Sequence, residues 1–101
     1  FAIFHNQGQA CIAGSRLVLH EKIADQFLER FVALARSIRV GNPLDEATEM
    51  GPLTSAQHRD RVVNYVQVAR ESGGEVILGG TAPTDAALSN ATTCCRPSCA
   101  H

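Results

Sequence analysis
Phe4-His5-Asn6-Gln7-Gly8-Gln9-Ala10-Cys11-Ile12-Ala13-Gly14-Ser15 sets a single cysteine inside a turn rich in Gly, Gln and Asn, with small residues after it and an apolar run beyond. Such a setting can present a thiol where strand and helix ends meet. Spacing alone lets Asn6 act as an N-cap and Gly8 make a tight turn, which would put Cys11 in the first turn of a short helix. Unpaired backbone N–H groups and the positive end of the helix dipole favour an anion there. A thiolate is such an anion, and it is the form of cysteine that attacks carbon. The plainer reading is that an isolated free cysteine is a small buried hydrophobe, and spacing by itself favours that one.

The same stretch resembles the cysteine active-site signature of the aldehyde dehydrogenase superfamily. That signature has an aromatic or aliphatic residue, Asn, Gly-Gln, a small residue, the Cys and then further small residues. Every position from Phe4 to Ser15 fits, and Arg16-Leu17-Val18-Leu19 continues in the family's manner. The likeness extends through Gly41-Asn42-Pro43-Leu44 and Met50-Gly51-Pro52-Leu53 to about Gly80. It implies residues 1–80 as part of a catalytic domain and 81–101 as a divergent, disordered tail. It also implies Cys11 as the catalytic nucleophile, attacking an aldehyde to give a thiohemiacetal and then a thioester that water hydrolyses. By the same resemblance the cofactor is NAD or NADP, held by a domain this chain lacks, and the parent enzyme is a homo-oligomer. The family's general-base glutamate and oxyanion-binding asparagine lie outside the chain; Asn6 is local and structural, and Gly8 and Gln9 shape the turn.

Composition narrows the other possibilities. The 101 residues are 45% hydrophobic and 19% charged with a formal net charge of -1, values of a soluble globular chain. Basic residues are scattered rather than gathered on a stripe, so no nucleic-acid partner is expected. No apolar run approaches the roughly 20 residues of a membrane span, and the start has no signal-peptide character. The expected location is cytoplasmic. Three of the four cysteines crowd into the last eight residues, which is not a secreted disulfide framework. The chain opens on Phe1 and its only methionine is Met50, so it reads as a fragment.

Periodicity supplies the elements. Arg16–His20 is a short apolar run that predicts a buried strand. From Glu21 to Ile38 the spacing predicts an amphipathic helix with Ile23, Phe27, Phe31, Leu34 and Ile38 on one face, flanked by Ala24, Leu28 and Ala35. Gly41-Asn42-Pro43 is expected to stop it. Asp45, Glu46 and Glu49 lack the spacing of a calcium loop and read as a solvated linker. Thr54 and Gln57 form a candidate capping box ahead of a second helix, Ser55 to Glu71, whose apolar face is Val62, Val66 and Ala69 with Val63 and Tyr65 beside them. His58 and Arg59 in its first turns are expected to be exposed. Gly73-Gly74 ends the helix and Glu75–Leu78 reads as a strand. The fold class is therefore α/β, a partial catalytic domain of aldehyde dehydrogenase type with short strands alternating with two amphipathic helices, on a largely parallel sheet completed by other segments.

The last stretch, Asn90 to His101, loses hydrophobic patterning and departs from the family; a shifted reading frame would account for it, and resequencing the coding DNA decides that. Cys94, Cys95, Cys99 and His101 could suggest zinc, but they are compressed at a terminus and no metal site is expected. Two readings compete with the dehydrogenase fragment: a non-catalytic interaction fragment using unburied helix faces, and a small thiol or zinc protein.

Overall fold
The computed structural model describes residues 3–81 and the backbone of 94–96. The chain divides into two compact units, Phe1–Gly51 and Pro52–His101.

In the first unit a 3-10 segment, His5–Gly8, precedes helix α1, Glu21–Ser37. Its N-cap is His20, an extended residue whose Nδ1 accepts the Lys22 N–H at 3.2 Å. Glu21 in the first turn and Arg36 in the last complement the helix dipole. At the other end the Ser37 hydroxyl donates to the Leu34 carbonyl at 2.8 Å, satisfying one of the terminal acceptors. The helix stops at Ser37, one residue short of the expected Ile38, which is extended. The backbone there has another partner. Arg39 O accepts from the N–H groups of Glu49 and Met50 at 2.8 and 3.1 Å, the Gly41 N–H donates to Met50 O at 3.0 Å, and Val40 bridges Met50 in parallel. Met50 is buried by this arrangement, at 5% exposure.

The covered stripe of α1 is Ala24, Leu28, Phe31 and Ala35, at helical spacing, with Ala35 buried. This is the expected apolar face rotated by about one residue, because Ile23, Phe27 and Leu34 remain exposed. Phe31 is covered by rings on either side: Phe4 stacks on it at 5.6 Å between centroids and Phe27 at 6.0 Å. Such pairs contribute roughly 0.5–1.5 kcal/mol beyond their area. Arg16–His20 is not a strand. It has no ladder partner among the described residues, and Leu17 and Val18 are exposed while Leu19 is half-buried.

The second unit is built on helix α2, Ala56–Glu71, and strand β1, Glu75–Leu78. The N-cap is Ser55, not Thr54: Ser55 is extended, and its Oγ accepts the His58 N–H at 3.2 Å. His58 and Arg59 are half-buried rather than exposed, and Arg59 pairs with Asp60 at 2.8 Å. Val62, Val66 and Ala69 form the covered face, with Val66 buried, and Val63 beside them is half-buried, whereas Tyr65 is exposed. The helix ends in a Schellman motif. The Gly74 N–H reaches Ala69 O at 2.8 Å and the Gly73 N–H reaches Arg70 O at 3.0 Å, with Gly73 in the left-handed region at φ 82°.

β1 packs on α2 and pairs antiparallel with β2, Cys94–Arg96, a strand that hydrophobic patterning does not announce. Glu75 lies opposite Arg96 and Val76 opposite Cys95, with an irregularity between Val76 and Leu78. Among the described residues the sheet therefore has two antiparallel strands instead of the parallel pairing expected. The remainder of 82–101, including Cys99 and His101, lies outside the described residues.

Gly80 closes this unit at φ 85°. A Cβ there would meet Arg70 Nη2 at 2.7 Å and Val76 Cγ1 at 2.9 Å, and the Arg70 guanidinium donates to Gly80 O at 3.3 Å. Gly51 is the contrasting case, since its nearest neighbours would stand 3.4 and 3.7 Å away. Gly80→Ala should lower stability by roughly 1–3 kcal/mol through backbone strain and overlap, whereas Gly51→Ala should cost under about 1 kcal/mol. Urea unfolding followed by circular dichroism checks both; equal costs would contradict the packing described here.

Candidate active site
The segment carrying Cys11 is shaped by a run of left-handed backbone. Asn6 has φ 49° and ψ 43°, Gln7 has φ 58° and ψ 23°, and Gly8 has φ 74°. Left-handed geometry costs an L-residue roughly 1–2 kcal/mol, with Asn the most tolerant and Gly exempt. Gly8 is further required by crowding, since a Cβ would stand 3.1 Å from Ile3 O. Short hydrogen bonds hold the run. Gln7 N–H donates to Phe4 O at 3.2 Å, Gln9 N–H to Asn6 O at 2.9 Å, and the Asn6 side-chain amide to Gln9 O at 3.1 Å.

Asn6 is thus not an N-cap. Its side-chain amide donates to Gln9 O rather than capping a helix N–H, and its own backbone lies inside the 3-10 segment, which Phe4 precedes without a side-chain bond. Nor does Cys11 sit in the first turn of a helix. It follows the 3-10 segment in a β-turn closed by the Ala13 N–H on Ala10 O at 3.0 Å, with Cys11 and Ile12 as the two central residues. The helix-dipole argument for a thiolate accordingly has no helix to rest on.

A turn corner presents its side chains outward, and Cys11 is exposed and unbridged. The reading of Cys11 as a small buried hydrophobe is therefore overturned. Among the described residues its N–H donates to no acceptor. Ala10 and Ala13 flank it with small, half-buried side chains, while Ile12 is 83% exposed. The turn thus offers a free thiol, an unspent backbone donor beside it and an open surface. A thiol and a backbone N–H side by side are the groups that addition to a carbonyl carbon calls on, one as nucleophile and one as oxyanion donor.

Gln7 is the residue that sequence reasoning passed over. With its amide oxygen facing Gly51, it accepts the Gly51 N–H at 3.3 Å and donates to Asn6 O at 2.8 Å, an orientation assigned from the hydrogen-bond network. The signal in the sequence is slight: a non-glycine residue between Asn6 and Gly8, where the backbone would take glycine more easily.

The three linker carboxylates have structural tasks or none. Asp45 Oδ1 accepts the Ala47 N–H at 2.9 Å, and Glu49 Oε2 accepts the Arg39 N–H at 3.0 Å with the Arg39 guanidinium 3.5 Å away. That pair is more than half exposed on both sides, so it contributes little. No helix among the described residues is long and apolar enough to cross a membrane.

Two glycines of the second unit are closely packed. The space over Gly80 is filled by Arg70, Val76 and Val66, and Gly74 lies against the backbone of Ala69.

Comparison with known proteins gives a consistent result. The aldehyde dehydrogenase family matches residues 1–97, running past residue 80. The chain is 51% identical over 78 residues to a hydroxyisobutyraldehyde dehydrogenase of Mycolicibacterium austroafricanum, covering 77% of this chain and 15% of that one. It is 44% identical over 80 residues to a betaine aldehyde dehydrogenase of Brucella ovis, covering 79% and 16%. Among solved structures, PnpE from Pseudomonas sp. WBC-3 is 70% identical with a TM-score of 0.81, over 89% of this chain and 18% of that one. PnpE has also been solved in complex with nicotinamide adenine dinucleotide. An NAD-dependent aldehyde dehydrogenase from Sinorhizobium meliloti is 40% identical with a TM-score of 0.86, over 91% and 18%. The chain therefore spans less than a fifth of the length of these relatives. On the turn around Cys11 and on these likenesses together, the chain belongs to the aldehyde dehydrogenase family.

Proposed function
We propose that this chain is the thiol-bearing part of an enzyme that oxidises an aldehyde to a carboxylic acid, with Cys11 as its nucleophile. The observation that carries the reading is the exposed corner position of Cys11 within the family's cysteine signature, beside its own unspent N–H.

The chemistry follows from those two groups. The Cys11 thiolate adds to the aldehyde carbon; a C–S bond forms and the carbonyl π pair moves onto oxygen. The Cys11 N–H donates to that oxyanion. Collapse of the adduct to a thioester releases a hydride, which NAD or NADP takes up in the parent enzyme. Water then adds to the thioester, the C–S bond breaks, the acid departs and sulfur returns as thiolate. A glutamate of the parent enzyme activates that water as general base. By the family likeness the residues that hold the cofactor are expected on other segments of the parent enzyme. The PnpE complex supports NAD as that cofactor. The aldehyde stays at the level of a class, because relatives of comparable identity are named for hydroxyisobutyraldehyde and for betaine aldehyde.

One observation also favours the reading of this segment as an interaction surface within a larger assembly. Ile23, Phe27 and Leu34 on α1 are exposed apolar side chains on one face, suited to packing against further protein.

Three outcomes are expected. The purified 101-residue chain should give no aldehyde-dependent NADH or NADPH, because base and hydride acceptor each contribute orders of magnitude to rate; turnover that vanishes in Cys11→Ala would overturn this. In a full-length aldehyde dehydrogenase carrying this segment, Cys11→Ala should cut kcat by ~10⁴-fold or more while unfolding stays cooperative. Iodoacetamide applied without denaturant should label Cys11 to completion, read on the tryptic peptide ending at Arg16; protection until the protein unfolds would contradict its exposed placement.

A further inference from the structure
Resting on the catalytic reading of Cys11, we propose that Gln7 is a positioning residue whose side-chain amide fixes the cysteine turn against Gly51 and so sets where Cys11 Sγ stands. The starting point is a backbone anomaly. Gln7 is held at φ 58° between Asn6 at φ 49° and Gly8 at φ 74°. Glycine would adopt that geometry freely, so a glutamine there must offset the strain through its side chain.

The side chain has two partners that do so. With the amide oriented by its hydrogen-bond network, its oxygen accepts the Gly51 N–H at 3.3 Å and its nitrogen donates to Asn6 O at 2.8 Å and to Asn6 Oδ1 at 3.1 Å. Asn6 O also accepts from the Gln9 N–H at 2.9 Å, so one carbonyl collects donors from both sides of the left-handed run. Gly51 is a firm anchor. It follows buried Met50, whose N–H and C=O are both engaged by the Arg39–Gly41 segment.

The connection is physical and short. Phe4 stacked on Phe31 holds the turn at its start, and Gln7 on Gly51 holds it in the middle, four residues before the thiol. Loss of the second tie leaves the Ala10–Ala13 turn anchored from one side. Its sulfur then samples a wider arc, and attack on a carbonyl carbon is sensitive to displacement of that kind.

The test uses a full-length aldehyde dehydrogenase carrying this segment, with Gln7→Gly, which removes the amide and relieves the backbone, and Gln7→Met, which removes the amide and keeps the length. Gln7→Gly should retain the parent's cooperative unfolding midpoint, Gln7→Met should lower it modestly because the strained backbone stays, and both should keep the KM for the dinucleotide while kcat falls roughly 10- to 100-fold. Wild-type kcat in both variants, alongside a Cys11→Ala variant that is dead, overturns the positioning role and leaves the catalytic reading standing. A fall in kcat only where the unfolding midpoint also falls assigns Gln7 to structure alone and overturns it too. Turnover that survives Cys11→Ala removes the catalytic reading itself, and the proposal with it.

Discussion
Three successive left-handed residues, Asn6, Gln7 and Gly8, turn the chain back on itself, and the placement of the thiol depends on that reversal. Two of them are not glycine, so the turn is a conformation that an isolated peptide would leave. It persists because its carbonyls are occupied: Phe4 O, Asn6 O and Gln9 O each accept a hydrogen bond within the same few residues. The stack of Phe4 on Phe31 then fixes the turn to α1, the longest regular element of its unit. Local strain is offset by local bonds and by one aromatic contact, and the outcome is a cysteine held at an exposed corner.

Burial is sparse. Among the described residues Ala35, Met50 and Val66 are the buried apolar ones, no side chain is fully enclosed, and Ile23, Phe27, Leu34, Tyr65 and Val68 leave much of their surface open. Hydrophobic burial is the main term that offsets chain entropy, and a chain of this size with so small a core is marginal by itself. The relatives are more than five times as long as the stretch they share with it. In such an enzyme the open faces of both helices have surface to pack against, and the caps and turns resolved here need only set local direction.

How much of this was legible depended on whether the cause was local. α1 could be read because its apolar residues recur at helical spacing, yet the face was misplaced by about one residue, since rotation is set by what the helix packs on. The end of α2 was legible because a Gly-Gly pair after an apolar stripe has one mechanical use, and Gly73 adopts it. Its start was read one residue early: Thr54 and Ser55 have the same capping chemistry, and only the extended backbone of Ser55 distinguishes them. Arg16–His20 carried a strand's composition but finds no partner to ladder with among the described residues. The antiparallel β2 was hidden for the opposite reason, since Cys94–Arg96 pairs through its backbone. At the candidate site the signature identified Cys11, but not the backbone run that carries it, because positive φ at Asn6 and Gln7 leaves no mark on composition.

The account reduces to whether carbon becomes bonded to this sulfur during turnover. The direct measurement is mass spectrometry of a full-length enzyme carrying the segment, quenched in acid while it consumes aldehyde and NAD, with the peptide that ends at Arg16 weighed. The account predicts that peptide heavier by the acyl group of the substrate, on Cys11. An unmodified Cys11 peptide at steady state, with the acyl mass found on another residue, would contradict it.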